Sequence, residues 1–187
     1  MSTFIAPQHT SDVASETIKS KPFGGLGSDI IELLFFAYRD FVSDPDRLLA
    51  EYGFGRAHHR VLHFVERHPG LTIAEILDIL SITKQSLNPI LKDLVEKGYI
   101  VQRTGTVDRR QRLLFPTDKG RALSLDLISP QLDRIARALE GAAPDVKDKV
   151  TAFLFAMINP DDRSNVARLV GKTAAEAQGE NERKNGR

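Results

Sequence analysis

Leu71–Gly98 reads LTIAEILDILSITKQSLNPILKDLVEKG, and its interpretation decides the fold. Thr72 followed three residues later by Glu75 is a capping box, in which hydroxyl and carboxylate each satisfy a free N–H at a helix start. Ile73, Ile76, Leu77 and Leu80 then recur at helical spacing. Ser81-Ile82-Thr83 breaks that pattern, and Thr83 suits the N-cap of a second helix. In that helix Leu87, Ile90, Leu91 and Leu94 form one apolar face, and Gly98 supplies the stop. Two short helices around a three-residue turn make a helix-turn-helix, whose second helix can lie in a DNA major groove. By itself the stretch suits an ordinary helical hairpin in a bundle equally well.

After Gly98 the period changes. Tyr99-Ile100-Val101-Gln102-Arg103 is β-rich, Thr104–Arg110 is polar and charged, and Gln111-Arg112-Leu113-Leu114-Phe115 returns to strand character before Pro116. Two short strands with a charged loop predict a β-hairpin, and a hairpin directly after a reading helix is a wing. Charge follows the same division. Between Ser81 and Arg112 seven Lys and Arg face three acids, a net +4, whereas Asp29–Glu51 carries two Arg against six acids, a net −4. One face suits a polyanion and another does not.

Working outward, residues 1–25 are polar, rich in Ser and Thr and without period, as in a flexible arm. Ser28 and Asp29 open a predicted helix to about Val42, with Ile30, Leu33, Leu34, Tyr38 and Phe41 on one side. Ile31, Phe35 and Phe36 make it apolar over more than one face, which points to subunit packing. Asp44-Pro45 reads as an N-cap and a first helical proline, starting a separate short helix to Glu51. Arg56–Arg67 is the next helix. Beyond the hairpin, Thr117-Asp118-Lys119-Gly120 caps a long helix to about Glu140, in which Pro130 should produce a kink or a break. A further helix carries Val146, Val150, Phe153, Leu154 and Met157 and stops at Asn159-Pro160, with a weaker helical piece over Asp162–Val170. The resulting division is an arm (1–25), helical dimerisation segments (28–52 and 117–170), a winged helix-turn-helix (54–116) and a disordered tail (171–187).

With 187 residues, 41% hydrophobic and 27% charged, the chain has the composition of a soluble globular protein. It has no cysteine, which excludes disulfides, thiolate zinc sites and thiol redox sensing within the chain. No apolar run approaches the ~20 residues of a membrane span. The start lacks the layout of a secretory signal, so a cytoplasmic location is expected. No nucleophile–base arrangement, phosphate loop or pair of catalytic carboxylates stands out, and an enzyme is not expected.

Taken in order, LTIAEILDILSITKQSL, ILKDLVEKGYI, Asp108-Arg109-Arg110 and Thr117-Asp118-Lys119-Gly120 resemble the MarR family of bacterial winged helix-turn-helix regulators. The resemblance covers most of Ser28–Met157. FFAYRDFVSDPD and YGFGRAHHRVLHFV further resemble the branch containing LdtR, a cell-wall-related regulator. The family implies a mainly α fold with a small β-hairpin wing. It also implies a homodimer with interlocking terminal helices, and control by small, often phenolic or other aromatic, effectors.

The second helix of Leu71–Gly98 offers Lys84, Gln85, Ser86, Asn88, Pro89 and Lys92 opposite its apolar face. Amide side chains can bond adenine bidentately and Ser several base edges, while Lys84, Gln85 and Ser86 can hold a phosphate at the helix start. The bland alternative is a solvated face. Pro89 departs from the family, which more often has a long polar residue there, frequently arginine. A proline costs roughly 3 kcal/mol in a helix interior, so the helix either bends or begins its regular part later. Specificity at this position would be apolar, as with a thymine methyl.

In the wing, Asp108 and Arg110 match the family's acidic-x-arginine signature, with Arg103, Arg109 and Arg112 close by. A tip arginine can enter a narrow minor groove. Asp108 would be repelled by phosphate, so its role is to orient an arginine or the tip backbone. A surface ion pair worth under ~1 kcal/mol is the alternative. His58, His59 and His63 are a rival signal, because His59 and His63 share a helix face four residues apart, a spacing that suits a metal; a partly buried polar helix explains them as well. Tyr38, Phe41, Ser43, Tyr52, His59 and Phe64 are the candidate effector pocket, with plain core packing the competing explanation.

The sequence thus reads as a homodimeric, effector-responsive repressor of transcription on double-stranded DNA, with no cofactor and no assigned metal. The alternatives are a winged-helix module that docks proteins, or a zinc-sensing regulator.

Overall fold

Leu26–Glu51 forms helix α1 at the start of the computed structural model, which describes residues 26–105 and 108–171. The remaining elements are α2 (Arg56–Arg67), β1 (Leu71–Thr72), α3 (Ile73–Leu80), α4 (Lys84–Glu96), β2 (Ile100–Thr104), β3 (Arg112–Pro116), α5 (Asp118–Leu139) and α6 (Val146–Ala156). A 3-10 turn at Pro160–Asp162 and helix α7 (163–171) complete the described chain. The expected arm lies outside the described residues, as does the tail after residue 171.

The chain divides between Arg39 and Asp40 into two compact units. The described part of the first is the amino-terminal half of α1. Several of its apolar side chains are exposed, Ile31 at 70%, Leu33 at 64% and Phe35 at 65%. Phe35 meets Phe36 edge to face at 5.5 Å, and the Arg39 guanidinium sits 4.9 Å from the Phe36 ring centre.

The break expected at Asp44-Pro45 is absent, because α1 runs through Pro45 to Glu51 as one helix. Pro45 has no N–H for the Phe41 carbonyl, and Gln131 of α5 supplies one instead, its Nε2 donating to that oxygen at 3.3 Å. Tertiary contact thereby satisfies the acceptor that local sequence leaves free, and Pro45 itself is fully buried. Pro130, expected to kink or break its helix, likewise lies inside an uninterrupted α5.

The core gathers Val61, Leu62 and Val65 of α2, Ile76 of α3, Leu87, Leu91 and Leu94 of α4, and Leu123 and Leu127 of α5. Ile100 and Leu114 seal it from the sheet. Burying each such side chain contributes about 1.5–3 kcal/mol. The hairpin is one strand larger than expected. Strand order is β1-β3-β2, all antiparallel, with Leu114 opposite both Leu71 and Gln102. A two-residue strand carries no period, which is why β1 could not be read in advance.

The hairpin joins α5 through a tight contact. Thr117 caps α5, accepting from the Gly120 N–H at 3.0 Å, while its own hydroxyl donates to the Gly98 carbonyl at 2.7 Å. A Cβ on Gly120 would lie 2.1 Å from the Tyr99 carbonyl oxygen, so only glycine permits this approach.

Candidate nucleic-acid interface

Helix α4 owes its position to two opposed surfaces. Leu87, Leu91 and Leu94 are buried at 0%, 4% and 0% exposure and lock one side into the core. Lys84, Gln85, Ser86, Asn88, Pro89 and Lys92 are all exposed on the other. The preceding capping box forms as expected, with the Glu75 N–H on Thr72 Oγ1 at 3.2 Å and the Thr72 N–H on Glu75 Oε2 at 2.8 Å. Ser81 ends α3 at φ 50°, a left-handed conformation unusual outside glycine, and turns the chain toward α4. Thr83 caps α4 by accepting from the Ser86 N–H at 3.2 Å. The Ser86 hydroxyl also lies 3.0 Å from Thr83 Oγ1, so part of its bonding capacity is already used at the cap.

Pro89 sits inside α4, which starts at Lys84 and continues through it; the regular part does not begin later. The helix-opening bond from the Leu87 N–H to the Thr83 carbonyl is 3.0 Å. Only the Gln85 carbonyl loses its helical donor to Pro89, and Gln85 is exposed, so water or a ligand can supply one. The proline therefore costs less here than in a buried interior.

At the wing tip, Asp108 Oδ1 accepts from the Arg110 N–H at 2.9 Å, the backbone-orienting role expected of it. The Gln111 N–H bonds the Asp108 carbonyl at 3.1 Å, and the Gly105 N–H bonds the Gln111 carbonyl at 3.0 Å. A Cβ on Gly105 would meet the Asp108 carbonyl oxygen at 2.6 Å. The Asp108–Gln111 turn thus presents Arg109 and Arg110 exposed. Neither side chain has a hydrogen bond or ion pair among the described residues. Arg103 and Arg112 are also exposed but anchored to the hairpin: Arg103 lies 4.6 Å from the Phe115 ring centre, and Arg112 bonds Thr104 Oγ1.

Sequence reasoning missed the cluster that braces the other end of α4. Lys97 lies over the Phe54 ring at 4.4 Å and pairs with Asp93 at 3.2 Å. Phe54 stacks on His58 at 4.7 Å and meets Tyr99 edge to face at 5.2 Å. His58 Nδ1 accepts from the Gly55 N–H at 3.2 Å, while its Nε2 faces Asp93 at 3.4 Å. The signal available was weak, since isolated aromatic and charged residues scattered over 46 positions have no period that links them.

His58 is therefore engaged at both nitrogens. His59 and His63 do approach, with ring centres 6.4 Å apart. Burial pushes both below the ordinary histidine range, His63 to about 4 with help from His59, Arg67 and His68; Asp46 opposes the change at His59. Among the described residues no three His, Asp or Glu side chains come together to hold a metal.

Of the six candidate pocket residues, one lies in the first unit and five in the second. Tyr38 lies in the first unit and is 58% exposed. In the second unit Phe41 contributes its carbonyl to Gln131, and the Ser43 hydroxyl bonds the Asp40 carbonyl at 2.8 Å. Tyr52 packs on Phe54 and Tyr99. His59 faces His63. A cavity of about 430 Å³ takes in Phe64 and none of the other five.

Helix, turn, helix and a hairpin pinned by a third short strand together define a winged helix-turn-helix protein. Residues 52–111 match the model of the MarR family. The transcriptional regulator PetP of Rhodobacter capsulatus is 42% identical over 139 residues, covering 74% of this chain and 84% of PetP. A putative MarR family regulator from Listeria monocytogenes complexed with a 26mer DNA superposes with a TM-score of 0.61 at 21% identity, over 76% of this chain and 95% of that one. Streptococcus pneumoniae FabT in complex with DNA gives 0.60 at 17% identity, over 78% and 97%. The chain belongs to the MarR family of transcriptional regulators, a family of regulators rather than enzymes. Among the described residues no helix is long and apolar enough to cross a membrane.

Proposed function

We propose that this chain binds double-stranded DNA sequence-specifically as a homodimer and represses transcription from the site it covers. The observation that carries this reading is the pairing of a rigidly seated α4, polar on its outer face, with a wing tip that displays Arg109 and Arg110 without partners among the described residues. Side chains of α4 suit the edges of bases in the major groove, and tip arginines suit an adjacent minor groove. The DNA-bound state of the Listeria and pneumococcal structures supports the reading by likeness of fold.

Dimerisation is supported by exposed apolar side chains. These are Ile31, Leu33 and Phe35 of α1 and, separately, Leu132 and Ile135 of α5 and Phe153 and Leu154 of α6. A two-fold dimer places two α4 helices about one DNA turn, ~10 bp, apart on a pseudo-palindromic site. An effector acts in such a dimer only by favouring a lobe spacing that does not fit DNA.

In-vitro selection of bound DNA by the full chain tests the reading. A selected pseudo-palindrome, with affinity falling steeply as salt rises, is the expected result. A flat salt response with no selected motif would overturn it. Sedimentation should give a dimer, and a promoter carrying the selected site should be silenced when the protein is present.

A further inference from the structure

The cavity of about 430 Å³ lies between α3 with the end of α2 on one side and residues 158–170 on the other. Its size is that of a small-molecule site. Phe64, Ile79 and Val166 give it an apolar wall. Its charged groups are mostly acidic: Glu75, Asp78 and Asp162, against one cation, Arg168. Glu75 is committed to the Thr72 cap at 2.8 and 2.9 Å. Asp78, Asp162 and Asn165 have no side-chain partner among the described residues. Ser81, the left-handed residue that ends α3, also lines the cavity, so an occupant would touch the turn that aims α4.

We propose that this cavity binds an amphiphilic organic cation, its apolar body against Phe64, Ile79 and Val166 and its charge toward Asp78 and Asp162. An anion of the same shape would face those carboxylates with only Arg168 in its favour. A neutral molecule would leave both carboxylates as they are and gain apolar burial alone. A bound cation would tie the carboxy-terminal helix to α3, so the proposal rests on the effector-responsive reading above and gives that response a location.

Tetraphenylphosphonium and tetraphenylborate, nearly equal in shape and opposite in charge, separate these possibilities by calorimetry on the full-length protein without DNA. The phosphonium should bind once per chain and the borate should not compete with it. Asp78→Asn with Asp162→Asn should weaken the phosphonium at least tenfold, and Val166→Trp should abolish its binding by filling the wall. Arg168→Gln, which touches neither carboxylate, should strengthen it and serves if the double variant does not fold. Equal binding of the two ions, or an Arg168→Gln protein with unchanged or weaker phosphonium affinity, would overturn the site. Operator affinity measured with and without phosphonium is a separate readout. A phosphonium that binds as described but leaves that affinity unchanged would support the site and remove the effector-responsive reading.

Discussion

The Gln131 side chain donates a 3.3 Å hydrogen bond to the Phe41 carbonyl, the acceptor that Pro45 leaves without its helical partner. Next to it Arg134 pairs with Asp44 at 3.0 Å, so the proline site of α1 is clasped twice by α5. Gln131 is 9% exposed, which makes the bond costly to lose. Gln131→Leu should destabilise the protein by about 1–3 kcal/mol, because it leaves the Phe41 oxygen unpaired. Urea unfolding reads the change, and the operator affinity of the protein that remains folded should not move.

Arg110→Ala should abolish tight operator binding while secondary structure and dimer mass are unchanged. Asp108→Ala removes only the acceptor that holds the Arg110 N–H at 2.9 Å, so it should weaken binding less. Fluorescence anisotropy over a range of salt concentrations ranks the two. Arg110→Ala binding the operator as tightly as the parent would exclude a wing contact.

Pro89→Arg tests what α4 reads. Arginine restores an N–H to the Gln85 carbonyl and adds a fork of donors suited to guanine. The half-site recovered by selection should shift toward G at one position, and the helix should become more stable. Identical sequence preference and affinity in parent and variant would mean that this position contacts no base.

His63 makes stability depend on pH. Burial lowers its pKa from 6.5 to about 4, so between those values the unfolded chain binds more protons than the folded one. Stability is therefore at its full value above about pH 6.5, falls as the pH drops through this window, and has lost at most about 3 kcal/mol from this group below pH 4. Other groups titrate there too, so the comparison is with His63→Leu. The parent should lose more stability than this variant between about pH 7.5 and pH 5, by urea midpoint. Parallel losses would show that His63 carries no such load.

Sequence alone determined the parts whose cause is local. The Thr72–Glu75 box, the Thr83 and Thr117 caps, the Gly98 stop and the hairpin strands all depend on residues a few positions apart. The exposed face of α4 and the orienting role of Asp108 come from helical period and turn chemistry. Tertiary structure decided whatever depends on partners distant in sequence. Pro45 reads as a helix start until Gln131, 86 residues later, answers the Phe41 carbonyl. Leu71 joins the sheet only because Leu114 offers it a ladder. The brace of Phe54, His58, Asp93, Lys97 and Tyr99 and the acidic cavity beside α3 likewise assemble from side chains with no common period. A local pattern records what a segment does with its own hydrogen bonds, and long-range contacts decide what becomes of the bonds it cannot make.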